Sequence, residues 1–403
     1  MALLSRRSTA SAAAAIVSLV ALAGCGGGDG SGSDSDTANA AFEIYAVAPL
    51  SGAIAASGAQ VKAGIEAAVA VINDKGGING KQVNLTIDDD AGDPTQVAAR
   101  MQQVLQSDSK PDLIFTGLTS TEAVAALPLT NQAGVLAAGP AASSEMEQFD
   151  QYLSATPLAV DASKAALKAV ADSGAKTIGV LVVDNVSGAS AAGDFNRFAA
   201  DYGLSITGSE KIAPTATDAS AQLERLRSGD PDVLLYSGFS PVVGPVLQGK
   251  LKIGWDVPAF ADQTVGAFPY TSLVSPAELK GFTVVAPSYV VKGSESANTE
   301  AMRTAVAAIE KAYGKDFDAP IQAAIHSYMS IVLVKYAVEA AGTSEAKVAW
   351  DARKQLTPQR MPLYVGSSAL FQGEALNWAV FPPADWSAVV AANFEHGFIV
   401  PMS

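Results

Sequence analysis

From residue 42 onward, segments patterned as buried strands alternate with segments patterned as helices, and near residue 160 the alternation begins again. FEIYAVA (Phe42–Ala48) reads as a buried strand and runs into Pro49-Leu50-Ser51-Gly52. Over residues 58–73, Val61, Ile65, Ala68, Val69 and Ile72 fall on one helix face, and Gly76-Gly77 ends it. A strand follows at 83–87. Asp93 as N-cap, Pro94 at the first helical position and Gln96 at the third start another helix. Next come a strand at 113–116, a helix at 119–132 that Pro128 should kink or delay, and a strand at 135–138.

The second round reads as helix 162–171, strand 177–183, helix 188–202, strand 206–211, helix 219–227, strand 233–236, helix 242–252 and strand 257–260. A strand at 284–286 leaves it. Helices at 299–313, 321–341 and 345–355 follow, and short strands and turns resume from about residue 376. Such alternation predicts parallel sheets with helices on both faces, and two rounds predict two α/β lobes. Ser-Gly follows an early strand in each, at Ser51-Gly52 and Ser187-Gly188.

The segment before residue 42 has a different purpose. Arg6 and Arg7 precede an apolar run from Ala10 to Ala23, too short to span a bilayer, which reads as an export signal. Leu22-Ala23-Gly24-Cys25 resembles the bacterial lipobox, which implies cleavage before Cys25 and acylation there. Ser8, Thr9 and Ala10 stand where a twin-arginine signal has apolar residues, which favours Sec export. Residues 25–40 are small and polar after the cysteine and form a tether. Cys25 is the only cysteine, so no intramolecular disulfide supports the body.

The remaining chain is long enough for two domains. Apolar residues make up 49% and charged residues 16% of the chain, and no apolar run after the signal is expected to cross a membrane. The formal charge of −14 becomes −14 − 2 = −16 once Arg6 and Arg7 are removed. That balance gives no electrostatic basis for binding nucleic acid or anionic lipid headgroups.

Several stretches resemble one known family. APLSG at 48–52, AVAVINDKGGINGKQVNLTIDDDAGDP at 68–94, GLTSTEAVAAL at 117–127, GPAASSEM at 139–146 and LLYSGFSP at 234–241 resemble type I solute-binding proteins of ABC importers, the leucine/isoleucine/valine-binding group. The resemblance covers nearly the whole body and implies two Rossmann-like lobes joined by three hinge crossovers, near 156–161, 282–289 and 366–376. The divisions are then 1–24 signal, 25–40 tether, 41–158 plus 287–368 one lobe, and 159–286 plus 369–403 the other. Open α/β sheets bind ligands beyond the carboxyl ends of their strands, and two such ends face a cleft that closes by hinge motion.

Carried over by position, the resemblance implies that Ser120 holds a ligand carboxylate through its N–H and hydroxyl. Ser143 takes the place of a threonine serving carboxylate and ammonium, and Ala141 offers its carbonyl to the ammonium. Asp262, or its neighbour Gln263, completes the ammonium site. Leu118, Thr119, Ala142 and Ala323 would line the side-chain pocket. Three positions depart from the branched-chain pattern: Ser57, Ser187 and Phe239 stand where larger or hydroxylated aromatics occur, so the pocket is no copy of that one.

Other chemistries fit poorly. A calcium loop starting at Asp88 would place Ala99 where its glutamate belongs, so Asp88-Asp89-Asp90 reads as a solvated loop and Asp93 as a cap. His326 and His396 are the only histidines and have no cysteine partner, so no zinc set is expected. His326 reads as a satisfied helix histidine or a pocket wall. No G-x-S-x-G surrounds Ser51, Ser120 or Ser187, and Gly76–Gly80 is no phosphate loop. The expectation is a monomeric lipoprotein outside the cytoplasm, without metal or cofactor. It captures an amino acid or relative by lobe closure and passes it to an ABC permease. The alternative ligand is an aromatic carboxylate, short amide or urea; a sensory ectodomain and a cleft hydrolase are the other classes.

Overall fold

The computed structural model describes residues 41–365 and 385–402, apart from residues 240, 269, 276, 277, 315, 316, 318 and 319. The signal, Cys25, the tether and the crossover expected at 366–376 lie outside the described residues.

The first round folds as β1 (Phe42–Ala48), α1 (Ala55–Asp74), β2 (Val83–Asp89), α2 (Pro94–Leu105), β3 (Leu113–Thr116), α3 (Ser120–Ala133), β4 (Leu136–Ala138) and β5 (Tyr152–Leu153). Its strands pair in the order β2-β1-β3-β4-β5, all parallel. The second round is α4 (Ala159–Asp172), β6 (Thr177–Val183), α5 (Val186–Phe198), β7 (Ser205–Ile212), α6 (Ser220–Arg227), β8 (Val233–Ser237), α7 (Val243–Lys252), β9 (Ala259–Ala261), α8 (Gln263–Gly266), α9 (Tyr270–Leu273) and β10 (Phe282–Pro287). Then come α10 (Glu300–Tyr313), α11 (Gln322–Ala341), α12 (Ala346–Ala352), β11 (Trp386–Val389) and a hairpin of β12 (Ala391–Glu395) and β13 (Phe398–Pro401).

The second sheet runs β11-β10-β9-β8-β6-β7. It is parallel except at its edge, where β11 pairs antiparallel with β10. A strand that arrives from a distant part of the chain has no crossover to set its direction, and the sequence rhythm carried no signal for it. The two rounds thus form the two parallel-sheet lobes of an α/β fold. Strand β5 and helices α8 and α9 are too short to show periodicity and were not anticipated.

Local chemistry explains the other shifts. Helix α1 starts at Ala55, ahead of residue 58, and Gly58 N–H donates to the Ile54 carbonyl at 3.0 Å. Helix α3 passes Pro128 as one helix, and a reciprocal capping box between Thr119 and Glu122 starts it. Asp93 caps α2 as expected, accepting from Thr95 N–H at 2.8 Å. The neighbouring aspartates are not a solvated loop. Asp90 is fully buried, and Asp88 is half-buried beside Arg100 and the Tyr45 hydroxyl. Asp89 Oδ1 accepts from the N–H groups of Leu50, Ser51 and Ala91, and so holds the first Ser-Gly turn.

The centre of the core is α11, which is buried on nearly every side and packs against α1, α10 and α12. Its faces explain its weak periodicity: a helix surrounded by protein has no polar stripe. Helix α1 corrects one expectation, since by length and composition it could cross a membrane. Its apolar surface is instead largely buried inside the protein. The two helices approach closely at Gly64, where an added Cβ would stand 2.2 Å from the Ala324 carbonyl oxygen. Overpacking of this kind costs about 1–3 kcal/mol. Gly64→Ala should therefore lower the melting temperature by several degrees in a thermal scan; an unchanged melting temperature would mean that the helices can separate freely.

Candidate functional site

Strands β3 and β4 are neighbours in register, with Phe115 opposite Ala138. Five residues beyond each lie Ser120 and Ser143, and the Ser143 hydroxyl donates to Ser120 Oγ at 2.7 Å, both side chains buried. Gly117 turns the chain with φ +94°, and an added Cβ would stand 2.5 Å from Glu122 Oε2. That carboxylate oxygen accepts from Leu118 N–H at 2.5 Å and Thr119 N–H at 2.8 Å, while Glu122 N–H donates to Thr119 Oγ1 at 3.2 Å. The loop is thereby held so that Ser120 opens α3 with the free N–H groups of a helix start nearby. Ala141, two residues before Ser143, accepts from the Tyr152 hydroxyl at 2.9 Å through its carbonyl. One lone pair of that oxygen is thus occupied and the other is available.

The second lobe repeats the device. Strands β8 and β9 pair with Tyr236 opposite Ala261, which puts Ser237 beside Asp262. Ser237 donates to Asp262 Oδ2, and Thr264 donates to Oδ1 through its N–H at 3.0 Å and its hydroxyl at 2.5 Å. Asp262 is 3% exposed. Burial raises its pKa, while the bonds from Ser237 and Thr264 oppose that shift. A buried carboxylate that keeps its charge wants a cation.

These loops line one cavity with a free volume of about 80 Å³. Of the residues singled out from the sequence, Leu118, Thr119, Ser120, Ala141, Ala142, Ser143, Ser187, Phe239, Asp262, Gln263 and Ala323 all line it. Ser57 does not: it is buried in the first turns of α1, away from the cavity wall. Ser187 sits on the wall, but its hydroxyl is engaged, donating to Asn185 Oδ1 at 3.0 Å and accepting from Phe239 N–H at 3.1 Å. Phe239 packs on Phe268 with ring centroids 4.3 Å apart. Thr119 and Phe239 also line a larger outer cavity of about 400 Å³, so they stand between the two spaces.

Sequence reasoning missed Thr156, Ser163, Thr264 and Gln322, which carried no motif. His326 is both of the things expected of it: it lines the cavity, and its Nε2 is 2.7 Å from the Tyr289 hydroxyl. Burial pushes its pKa down to about 3, so the imidazole is neutral. Lysine and arginine are absent from the described wall, and Asp262 is its sole carboxylate. Among the described residues no group of three or more His, Cys, Asp or Glu is placed to hold a metal ion. The wall therefore has one carboxyl group, two hydroxyls in contact and several backbone groups; a positive end of a small polar molecule would hold that carboxyl in its charged form against the effect of burial.

The comparisons with known proteins agree with this fold. The periplasmic binding protein family model matches residues 43–363. A Leu/Ile/Val-binding protein homolog 3 of Brucella melitensis biotype 1 is 24% identical over 312 residues, 75% of this chain and 80% of that protein. A periplasmic binding protein type 1 from Bordetella pertussis Tohama I has a TM-score of 0.75 at 16% identity, covering 87% of this chain and 96% of that one. A branched-chain amino acid transporter substrate binding protein from Streptococcus pneumoniae, in complex with isoleucine, has a TM-score of 0.69 at 19% identity, covering 89% and 98%. A solute binding protein of an ABC transporter from R. palustris, in complex with 4-hydroxybenzoate, has a TM-score of 0.66 at 18% identity, covering 78% and 85%. At these identities the structures establish the shared fold.

Behind the Ser120 loop, Glu122 and Asp90 are both buried, and each keeps one carboxylate oxygen without a partner. Burial first, and the charge of Asp90 second, raise Glu122 from 4.5 to about 8. Folding then takes up a proton between those values, so the stabilising contribution of Glu122 is complete below pH 4.5 and lost as pH rises through 8. Asp90, raised to about 6 mainly by burial, acts in the same direction over a lower window. His326 acts oppositely, but only between its ordinary 6.5 and about 3. Between pH 6.5 and 8 the unfolding free energy should therefore fall, by at most about 1.4 kcal/mol per pH unit from Glu122. Glu122→Gln should flatten that slope in denaturant titrations; an equal slope in both proteins would remove Glu122 as its source.

Proposed function

The chain belongs to the periplasmic binding protein family, and on that footing we propose that it captures a small zwitterionic solute, an amino acid or close relative, outside the cytoplasm. The family is one of binding proteins, so the cleft hydrolase suggested by the isolated serines is set aside. The observation that carries the proposal is Asp262, a buried carboxylate on a cavity wall that has no cationic side chain. An ammonium group supplies the missing charge, and the second lone pair of the Ala141 carbonyl and the Ser143 hydroxyl give it further acceptors. The ligand carboxylate then lies against the Ser120 N–H and hydroxyl at the start of α3, where the helix dipole favours an anion.

Asp262 and Gln263 follow strands of the six-stranded sheet; Ser120, Ala141 and Ser143 follow strands of the five-stranded one. Binding both charged ends of one solute therefore draws the two lobes together. Ser144 and Ser190 have hydroxyl oxygens 3.2 Å apart, a contact of the kind that closure would bring about. The hinge segments are those expected near residues 156–161, 282–289 and 366–376, with the lobe boundaries set by them. Closure desolvates the hydrogen bonds, and the shape of the remaining wall sets selectivity.

The names of the relatives support this reading: one is called a Leu/Ile/Val-binding protein homolog, and another was solved with isoleucine. The 4-hydroxybenzoate complex keeps an aromatic carboxylate as the second reading, since that protein shares the fold. Asp262 weighs against it, because a ligand with a carboxylate and no ammonium gives that buried carboxyl group no cation to pair with. Delivery to an ABC permease and a diacylglycerol anchor on Cys25 complete the proposal, the tether of residues 25–40 linking anchor to body.

Two experiments test it. In isothermal titration calorimetry with a panel of amino acids and benzoates, an amino acid should bind. Asp262→Asn should weaken it by about 3 kcal/mol, roughly a hundredfold, and Ser120→Ala by a smaller factor. Benzoate binding that Asp262→Asn strengthens would replace the amino-acid reading with the aromatic one. Cell fractionation tests the anchor: Cys25→Ser should move the protein from the membrane pellet to the soluble fraction, and a pellet-bound variant would refute acylation there.

A further inference from the structure

The wall of the cavity nearest the start of α11 holds three polar side chains with unused hydrogen-bonding capacity. Thr156 lies between β5 and α4, Gln263 opens α8, and Gln322 opens α11. All three line the cavity and all are more than nine-tenths buried. Gln322 Nε2 donates to the Gln263 backbone carbonyl at 2.9 Å, and Gln263 Nε2 donates to the Pro157 carbonyl at 3.4 Å. A carbonyl can only accept, so these contacts fix which end of each amide is nitrogen. The two amide oxygens are left over, and both are buried without a partner, as is Thr156 Oγ1. The three residues share the cavity lining, and each of these enclosed atoms is a cost that the empty protein bears and that a ligand reaching it can remove.

The unmet capacity is specific: two acceptors, from Gln263 and Gln322, and one hydroxyl, from Thr156, able to donate. From this geometry we infer that the site takes an amino acid whose side chain ends in a carboxamide. The two N–H bonds of the carboxamide meet the two glutamine oxygens, and its carbonyl accepts from Thr156. A hydrocarbon end leaves all three atoms unpaired. A guanidinium end supplies donors but brings a second positive charge, and the wall's sole carboxylate, Asp262, is already committed to the ammonium. His326 on the same wall is neutral and adds no charge of either sign. The inference rests on the proposed zwitterion site and narrows it: Ser120, Ser143 and Asp262 hold the charged ends common to amino acids, and the three polar residues choose among side chains.

The test pairs each carboxamide with an apolar ligand of similar size. Calorimetry on the purified protein compares asparagine with leucine, and glutamine with methionine. At least one carboxamide should bind ten times or more tighter than its apolar counterpart. Thr156→Val, which keeps the shape and removes the hydroxyl, and Gln322→Met should each lower that ratio at least fivefold. The wild-type panel needs no variant to fold, and matching melting curves show whether each variant does. If leucine and methionine bind as tightly as the carboxamides, or tighter, the inference is overturned while the amino-acid reading stands. If none of the four binds while another amino acid of the panel does, the inference alone falls; if no amino acid binds, the zwitterion reading falls with it.

Discussion

In-register pairing between neighbouring parallel strands is the interaction on which every other feature of the cavity depends. Phe115 opposite Ala138 brings Ser120 and Ser143 together although 23 residues separate them. Tyr236 opposite Ala261 does the same for Ser237 and Asp262. Because all four strands end at the same edge of their sheets, the loops that follow them gather polar atoms that no local sequence would collect. A register slip would move those pairs apart and turn core side chains outward, so burial of both faces protects the site geometry as well as the fold.

Around that frame the protein buries several groups that water would otherwise solvate, and each is treated differently. Glu122 is surrounded by backbone N–H donors and lifted towards neutrality by burial, which keeps the Ser120 loop in place without putting a charge in the cavity. His326 stays neutral and is held by Tyr289. Asp262 has three hydrogen bonds but no counter-charge, and Thr156, Gln263 and Gln322 keep unpaired atoms. Buried atoms without a partner occur elsewhere too, as at Glu122 and Asp90, but Thr156, Gln263 and Gln322 are neighbours that line the same cavity as Asp262. Folding stability gains nothing from leaving such atoms unpaired, which is the physical reason for proposing this cavity as the binding site.

Much of this was legible in the residues. The strand–helix rhythm revealed most of both sheets, and the Asp93-Pro94 start marked α2. Eleven of the positions named through the family likeness line the cavity, since short motifs such as GLTST travel with their loops. The likeness misplaced Ser57, because a helix that starts three residues earlier turns that side chain into the core. Composition misjudged Asp90, which looks like loop but is buried beside Glu122 only after folding. It also let α1 pass for a helix too short and mixed to resemble a membrane span.

What the sequence determined by itself is therefore the order of the elements, their approximate limits, and the loops that end at the cleft. All of these follow from the periodicity of apolar residues and from capping chemistry, which act over a few residues. Only the tertiary structure decided that β11 enters antiparallel, that α11 is enclosed on all sides, and that Thr156, Gln263 and Gln322 share one wall. Those outcomes arise largely from contacts between segments far apart in the chain, where no local preference operates. Which atoms remain unpaired is the last thing settled, because an atom is unpaired only with respect to everything packed around it.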